Sequence, residues 1–553
     1  MDASSHRTLG QRILRAGIVV FIAHVLFKLA GLAQTWTMGH YLTKREYDSF
    51  SFAFETLLFG IFLIGEEVIG PAMMPIFMRQ LDENDESGAW RFANTFLSLQ
   101  FLLLVPTVLL IMAYPEWLVG LCTQWSRDSR PELFAMGSQR IHALAPALIG
   151  LSLGSTTYVI LNGYKRFFLA AFGDAVWKFA AVGGLVAAAV FRGGGGAGKG
   201  LVLGLLLGSV LKVATHLVGL RDKLRLFRPR LALSDPALRR MLWLVLPLLV
   251  GIVFAKVREL VNNSYVLSGI HSDGWIQANS MGRKLQGSIN WLVPYAFSIA
   301  VFPFFCELVD RNDEVRLGQV ITRSGRMLLA VFIPFVAVVA VLARPLTSLV
   351  FIGGYFDEEA SRRTAVSLAV YLLALPASAI ETLVMQAFFA HRRMVAITFV
   401  GIVFSTLSMG ISWTGMQVCG QNGLLLLGVV AGGFTVSRIL KSLLLVKMLR
   451  RNTPAAFPVR ETFWFVARVS LGAVLMAGVA WLVARYAPPA AATAGLHLKG
   501  RLLNLLCLTG GAGAATVAGV AACAALRIHE PREMLQWGAA KLRKRTRRST
   551  PAA

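Results

Sequence analysis

The chain has 553 residues, 56% of them hydrophobic, and a formal net charge of +26. A mean hydropathy of +0.62 over this length excludes a soluble globular protein. The charge lies mostly between apolar runs and in the tail, which argues for a membrane surface and against nucleic acid.

Fourteen apolar segments are long enough to be membrane spans. They lie near 13–42, 49–78, 90–113, 138–162, 168–191, 199–220, 241–268, 275–306, 322–343, 364–390, 394–416, 422–449, 462–486 and 499–527. The first run is too long for a secretory signal, has no small-residue cleavage site and leads into a second span. An even count puts both termini on one side. With the N-terminus cytoplasmic, 32 of the 55 Lys and Arg fall in cytoplasmic segments, 12 in the opposite loops and 11 within or at the edges of spans. That asymmetry fixes the expected orientation, with both termini in the cytoplasm.

The first two spans set the functional question. The first carries Lys28 and the second carries Glu55, Glu66 and Glu67. A charge at bilayer depth costs about 2.5–3.5 kcal/mol, so it faces a wet cavity or a partner. The Gly/Pro setting of GEEVIGPAMMP allows this second helix to break or bend. The Gly-rich run 193–196 has no Lys-Ser/Thr ending and reads as a turn rather than a phosphate loop. The triplet Asn262-Asn263-Ser264 lies at bilayer depth and has no meaning as a glycosylation signal. The basic tail KLRKRTRRS reads as a segment resting on anionic headgroups.

The first twelve spans repeat. MMPIFMRQLD closes span two and VFPFFCELVD closes span eight, with Pro75 and Pro303 228 residues apart. Lys28 and Lys256 are also 228 apart, the basic pairs of NGYKRFF and FFAHRRM 227, and Pro146 and Pro376 230. One near-constant offset predicts two six-span lobes in parallel repeat, a transporter plan with the substrate site between the lobes. The expected fold is therefore an all-α polytopic membrane protein of about 14 transmembrane helices, two six-helix lobes plus two extra C-terminal helices. The lobes would be 1–220 and 241–450, joined by a basic cytoplasmic linker at 221–240. The added spans fill 451–527, and a basic cytoplasmic tail runs over 528–553.

Charges within the membrane concentrate in the first two spans of each lobe: Lys28, Glu55, Glu66, Glu67, Lys256, Arg258, Glu259, Arg283 and Lys284, with Lys178 and Glu381 as further candidates. Lys and Arg suit a phosphate-bearing substrate, and Arg grips it bidentately. The carboxylates would balance charge, act in gating or bind a coupling cation, sodium or proton. The alternative is mutual pairing, Glu259 with Lys256 one turn away for example. The five cysteines are scattered, the nine histidines dispersed, and HExxH is missing from the sequence. A metal centre, a resident cofactor and a catalytic site are therefore not expected.

Several stretches resemble one family. FKLAGLAQTWTMGHYLTKREYDSFSFAFETLL followed by GEEVIGPAMMPIFMRQL is similar to the opening of the MurJ/MviN lipid II flippases. LNGYKRFFLAAFGDAVWKFA resembles that family's span four-to-five junction, and LVFIGGYFDEEASRRTAVSLAVYLLALPASAIETLVMQAFFAHRRM its stretch through span ten. The resemblance covers most of the chain. It implies a member of the multidrug/oligosaccharidyl-lipid/polysaccharide exporter superfamily, with lobes that rock between inward- and outward-open states. It also implies a cationic cavity for the pyrophosphate-sugar headgroup of lipid II and a groove beside spans thirteen and fourteen for the polyprenyl tail. By position, Lys28 matches the first basic residue of span one, Asp48 the Asp of span two, Glu66 an acidic residue there, and Arg283 or Lys284 the basic residue early in span eight. The chain departs from the family pattern at Gln34, where Arg is usual, and near Leu63 and Ile64, where a basic pair is usual. Lys256 and Arg258 would supply the missing charge.

The expectation is thus a flippase for undecaprenyl-pyrophosphate-linked peptidoglycan precursor, in the bacterial inner membrane and monomeric. Expected partners are a lipid-linked anionic glycan, anionic membrane lipids and the cell-wall synthesis machinery, with no nucleic acid. A flippase for O-antigen or capsule oligosaccharides is the nearest alternative. A multidrug antiporter, an inactive envelope scaffold and a membrane enzyme rank behind it.

Overall fold

A computed structural model describes residues 25–192, 196–290, 296–391, 393–486 and 497–526. The described residues are helices and turns, with one isolated bridge between Gly353 and Phe356. The described part of each expected span lies on helix. Among the described residues, nine helices are long and apolar enough to cross a membrane, or up to eleven if each of two bent pairs counts as one span. The count of fourteen is not reached by that measure. The basic tail and residues 193–195 of the Gly-rich run lie outside the described residues.

The chain packs as two units, one of residues 1–277 with 353–357, the other of 278–352 with 358–553. Unit 1 begins with helix α1 (25–41). Helix α2 (Lys44–Asp82) starts with a capping box in which Thr43 accepts from the Glu46 amide and Glu46 accepts from the Thr43 amide. Its stretch Ser51–Leu58 is wound as π-helix, and the rest is continuous α-helix from Phe59 to Asp82. The Gly70-Pro71 setting, which would allow a break, leaves the helix continuous. The irregularity lies about four turns earlier, around Glu55, which accepts from Ser51 at 2.9 Å.

Helix α3 (Glu86–Ala113) is capped by Asp85. Helices α4 (Pro131–Leu144) and α5 (Ala147–Gly163) form one span bent by 45° at Pro146. Helices α6 (Phe167–Arg192) and α7 (Ala197–Gly219) follow. These two pack backbone to backbone because Gly200, Gly204 and Gly208 form a small-residue seam at helical spacing. A Cβ on Gly204 would stand 2.4 Å from the Ala180 carbonyl oxygen. Helix α8 (Pro236–Leu260) packs on α2 and continues through a π-turn, Val261–Tyr265, to Ser268.

Unit 2 contains most of α9 (Trp275–Asn290), then α10 (Ala296–Asp310) and α11 (Glu314–Val341). Helices α12 (Glu358–Leu372) and α13 (Leu375–Ala390) are again a bent pair, at 42°. Then come α14 (Met394–Cys419), α15 (Gly423–Arg450), α16 (Val459–Tyr486) and α17 (His497–Ala525). Its core runs from Phe305 and Leu317 through Leu383 and Phe388 to Phe465 and Val469, so α16 packs directly on α11.

The repeat is visible in local geometry. Asp85 caps α3 and Asp313 caps α11, 228 residues apart. Asn84 and Asn312, just before them, both take left-handed backbone, φ 58° and 53°. Pro106 and Pro334 sit inside those same helices, again 228 apart.

Replacing Gly204 by Leu forces α6 from α7. The expected outcome is loss of a monodisperse folded species in detergent by size exclusion. Gly183, whose Cβ position meets nothing within 4 Å, should accept Ala with an unchanged melting temperature.

Candidate functional site

The second half of α2, α6, α7 and α8 bring their charges together inside unit 1, beside α5. Lys212 on α7 is 1% exposed and its Nζ lies 2.7 Å from Asp174 on α6. It fits because α5 carries Gly154 beside it, where a Cβ would come within 2.6 Å of the lysine Cε. One turn on, the His216 ring bonds Thr157 Oγ1 at 2.8 Å and the Ala170 carbonyl at 3.1 Å. Glu66 lies within electrostatic reach of Lys212, Asp174, Glu67 and Lys178. It lines a cavity of about 410 Å³ together with Gly70, Met74, Pro75, Ser155, Tyr158 and Val159. Its neighbour Glu67 accepts from Lys256 on α8 at 2.8 Å, and Glu259 stands 4.0 Å from the same ammonium. On α6, Lys178 lies over the Phe27 ring at 3.5 Å, and Lys28 is 5.9 Å from that ring.

Asp48 belongs to a separate site. Eighteen residues of helix, about 27 Å of rise, part it from Glu66. The buried Asp48 carboxylate accepts from the amides of Gly274 at 2.6 Å and Gln277 at 2.7 Å. It therefore caps the start of α9 from a different helix, where the unsatisfied N–H groups favour an anion. Around this cap, Asp273 pairs with Arg45 at 2.9 Å and with Arg130. Arg130 also donates to the Ile270 carbonyl at 3.0 Å. Lys44 meets Asp357 at 2.6 Å, and the Tyr355 amide donates to the His40 carbonyl at 3.1 Å. Loops far apart in sequence are thus tied at one end of unit 1.

Of the residues singled out in the sequence, the structure brings together Glu66, Glu67, Lys256 and Glu259. Asp48 stands apart at the cap, and Glu55 lies on the π-turn between the two sites. Arg258 is half-buried on α8. Arg283 and Lys284 are half-buried on the part of α9 that belongs to unit 2. Glu381, also in unit 2, takes Arg438 at 2.6 Å and Lys441 at 2.8 Å. The sequence reading passed over Asp174 and Lys212, although each is a charge inside an apolar span and that signal was available. Among the described residues no group of three or more His, Cys, Asp or Glu could hold a metal ion.

The family model for "Lipid II flippase MurJ" matches residues 38–497. The chain belongs to the MurJ lipid II flippase family. Its relatives are distant. A probable lipid II flippase MurJ of Bdellovibrio bacteriovorus is 22% identical over 483 residues, covering 82% of this chain and 85% of that one. The lipid II flippase MurJ of Burkholderia cenocepacia is 21% identical over 460 residues, covering 80% and 84%. Among solved structures, a lipid II flippase MurJ in an inward closed conformation superposes with TM-score 0.71 at 17% identity, covering 94% of this chain and all of that one. An inward-facing multidrug MATE transporter of the MOP superfamily gives 0.65 at 13% identity, covering 79% and 99%. These likenesses show a shared fold.

Lys212→Met leaves Asp174 without its counter-ion, and breaking such a pair costs about 3–5 kcal/mol. The expected outcome is a clear fall in melting temperature, largely restored in the double variant Lys212→Met/Asp174→Asn. A double variant no better than the single one would show that the two charges are not coupled.

Proposed function

We propose that this protein is a lipid II flippase that carries an undecaprenyl-pyrophosphate-linked peptidoglycan precursor from the cytoplasmic to the periplasmic leaflet by alternating access. It acts as a monomer in the inner membrane with both termini in the cytoplasm, and moves its substrate without chemical conversion. Membership of the MurJ family over residues 38–497 carries this reading. The charges that α2 and α8 carry within apolar spans support it, since basic groups such as Lys256 held there suit a diphosphate.

In this reading Lys28, Lys256, Arg258, Arg283 and Lys284 bind the pyrophosphate. Lys256 is held by Glu67 at 2.8 Å. A diphosphate would take over that ammonium, leaving Glu67 and Glu66 to rebalance charge or to accept a coupling cation. The membrane potential is a sufficient drive, worth about 2.3 kcal/mol per charge per 100 mV. The cap at Asp48 would open and close with the cycle, and the surface of α16 and α17 would carry the polyprenyl tail.

Lys28→Ala and Lys284→Ala should each abolish growth of a flippase-depleted strain that depends on this chain. Wild-type growth from both would remove these residues from the site. Lys256→Ala should weaken binding of a pyrophosphate lipid, measured on purified protein. An unchanged affinity would leave Lys256 as a structural partner of Glu67 alone.

A further inference from the structure

The two repeats bind one equivalent carboxylate in opposite ways. Glu86 opens α3 and Glu314 opens α11, 228 residues apart. Each receives one group from the end of a bent span, Tyr164 in unit 1 and His391 in unit 2, 227 apart. Each receives a second from the segment after the sixth or twelfth span, Lys223 in unit 1 and Thr453 in unit 2, 230 apart. The charge has changed places. In unit 1 the cation is the Lys223 ammonium, 2.6 Å from Glu86, and Tyr164 contributes a neutral hydroxyl. In unit 2 the hydroxyl comes from Thr453, 2.6 Å from Glu314, and only the His391 imidazole can carry positive charge.

Hydrogen counting defines the state of that histidine. Its Nδ1 lies 2.8 Å from the Ala387 carbonyl oxygen, which only accepts, so Nδ1 bears a hydrogen. Its Nε2 lies 2.8 Å from Glu314 Oε1. One more proton must lie between those two atoms, or two lone pairs face each other. Thr453 already donates to the other Glu314 oxygen. Charged groups at the corresponding ends of the elements packed on α13 are Glu307, Asp310 and Arg311 closing α10, Asp313, Glu314 and Arg316 at the start of α11, Lys447, Arg450 and Arg451 closing α15, and Arg393 beside the histidine. Glu461 at the start of α16 is engaged by Arg326 at 2.9 Å. Among the described residues, Glu314 is the charged side chain bonded to the imidazole.

The clasp holds a defined piece of chain. Thr453 lies in the connection 451–458 that leads from α15 to α16. The Phe457 amide donates to Thr322 Oγ1 at 2.7 Å, which lays the same connection along α11. We propose that His391–Glu314–Thr453 is a proton-dependent clasp that fixes the connection to the two added helices on unit 2, tight when the shared proton is present and loosened as it is lost. Its counterpart in unit 1 is built from Lys223 and Tyr164 and contains no histidine. Beside it the hydrogen bond from Arg166 holds the Asp222 carboxyl down to about 2. This device is independent of which lipid the protein carries.

Hydrogen exchange of the full-length chain in detergent tests it, read as protection factors at about pH 5.5 and about pH 8.5, on either side of the range where imidazoles titrate. Protection over 451–458 should fall about tenfold between the two, equivalent to about 1.4 kcal/mol. Protection over 221–226 should hold constant as the internal reference. His391→Tyr places unit 1's hydroxyl in unit 2 and should abolish the pH dependence. Glu314→Gln, which no longer demands the shared proton, should abolish it as well if the tyrosine does not fit. Equal protection of the wild type at both pH values overturns the proposal. So does a pH dependence that survives in both variants.

Discussion

A charge inside hydrocarbon must bring its counter-charge with it, and this constraint organises both units. Water is not there to solvate an ammonium or a carboxylate, so a lone one costs several kcal/mol and a paired one far less. Lys212 with Asp174, Lys256 with Glu67, and Glu381 with Arg438 and Lys441 each join different helices. Each pair therefore also fixes which helices are neighbours. Backbone approach does the same where side chains are small, as along the glycine seam of α6 and α7.

The repeat shows how one plan is varied. Turn, cap, proline and bend recur at nearly constant offset from α3 to α11 and from α5 to α13. These are backbone requirements, and each admits few residue types. The polar partners of the shared carboxylate are freer, because any donor of the right reach satisfies it. Tyr164 with Lys223 and His391 with Thr453 are two such solutions, with different consequences for charge.

For a lipid carrier the separation of the two polar regions on α2 matters. The capped loops around Asp48 lie at one end of unit 1. The Glu66 and Glu67 group lies beside a cavity and next to Lys256. A single helix runs through both regions, with the π-turn around Glu55 between them.

Much of this was legible in the sequence. Apolar runs place helices because only a helix satisfies its own backbone in lipid. Offsets near 228 expose the repeat, and Lys28, Glu66, Glu67 and Lys256 mark themselves as charges where none should be. Partner choice was not legible. Asp174 and Lys212 drew no notice as a pair, Asp48 read as one more acid rather than the cap of another helix, and nothing in the sequence marked the π-stretch at Ser51–Leu58. Hydropathy reports depth along the membrane normal but not the direction in which a side chain points around its helix. The sequence alone therefore determined the solvent, the apolar helical runs and the charges that lie within them. Tertiary structure decided which charges meet, because neutralising a charge depends on a few ångströms between residues that stand tens or hundreds of positions apart.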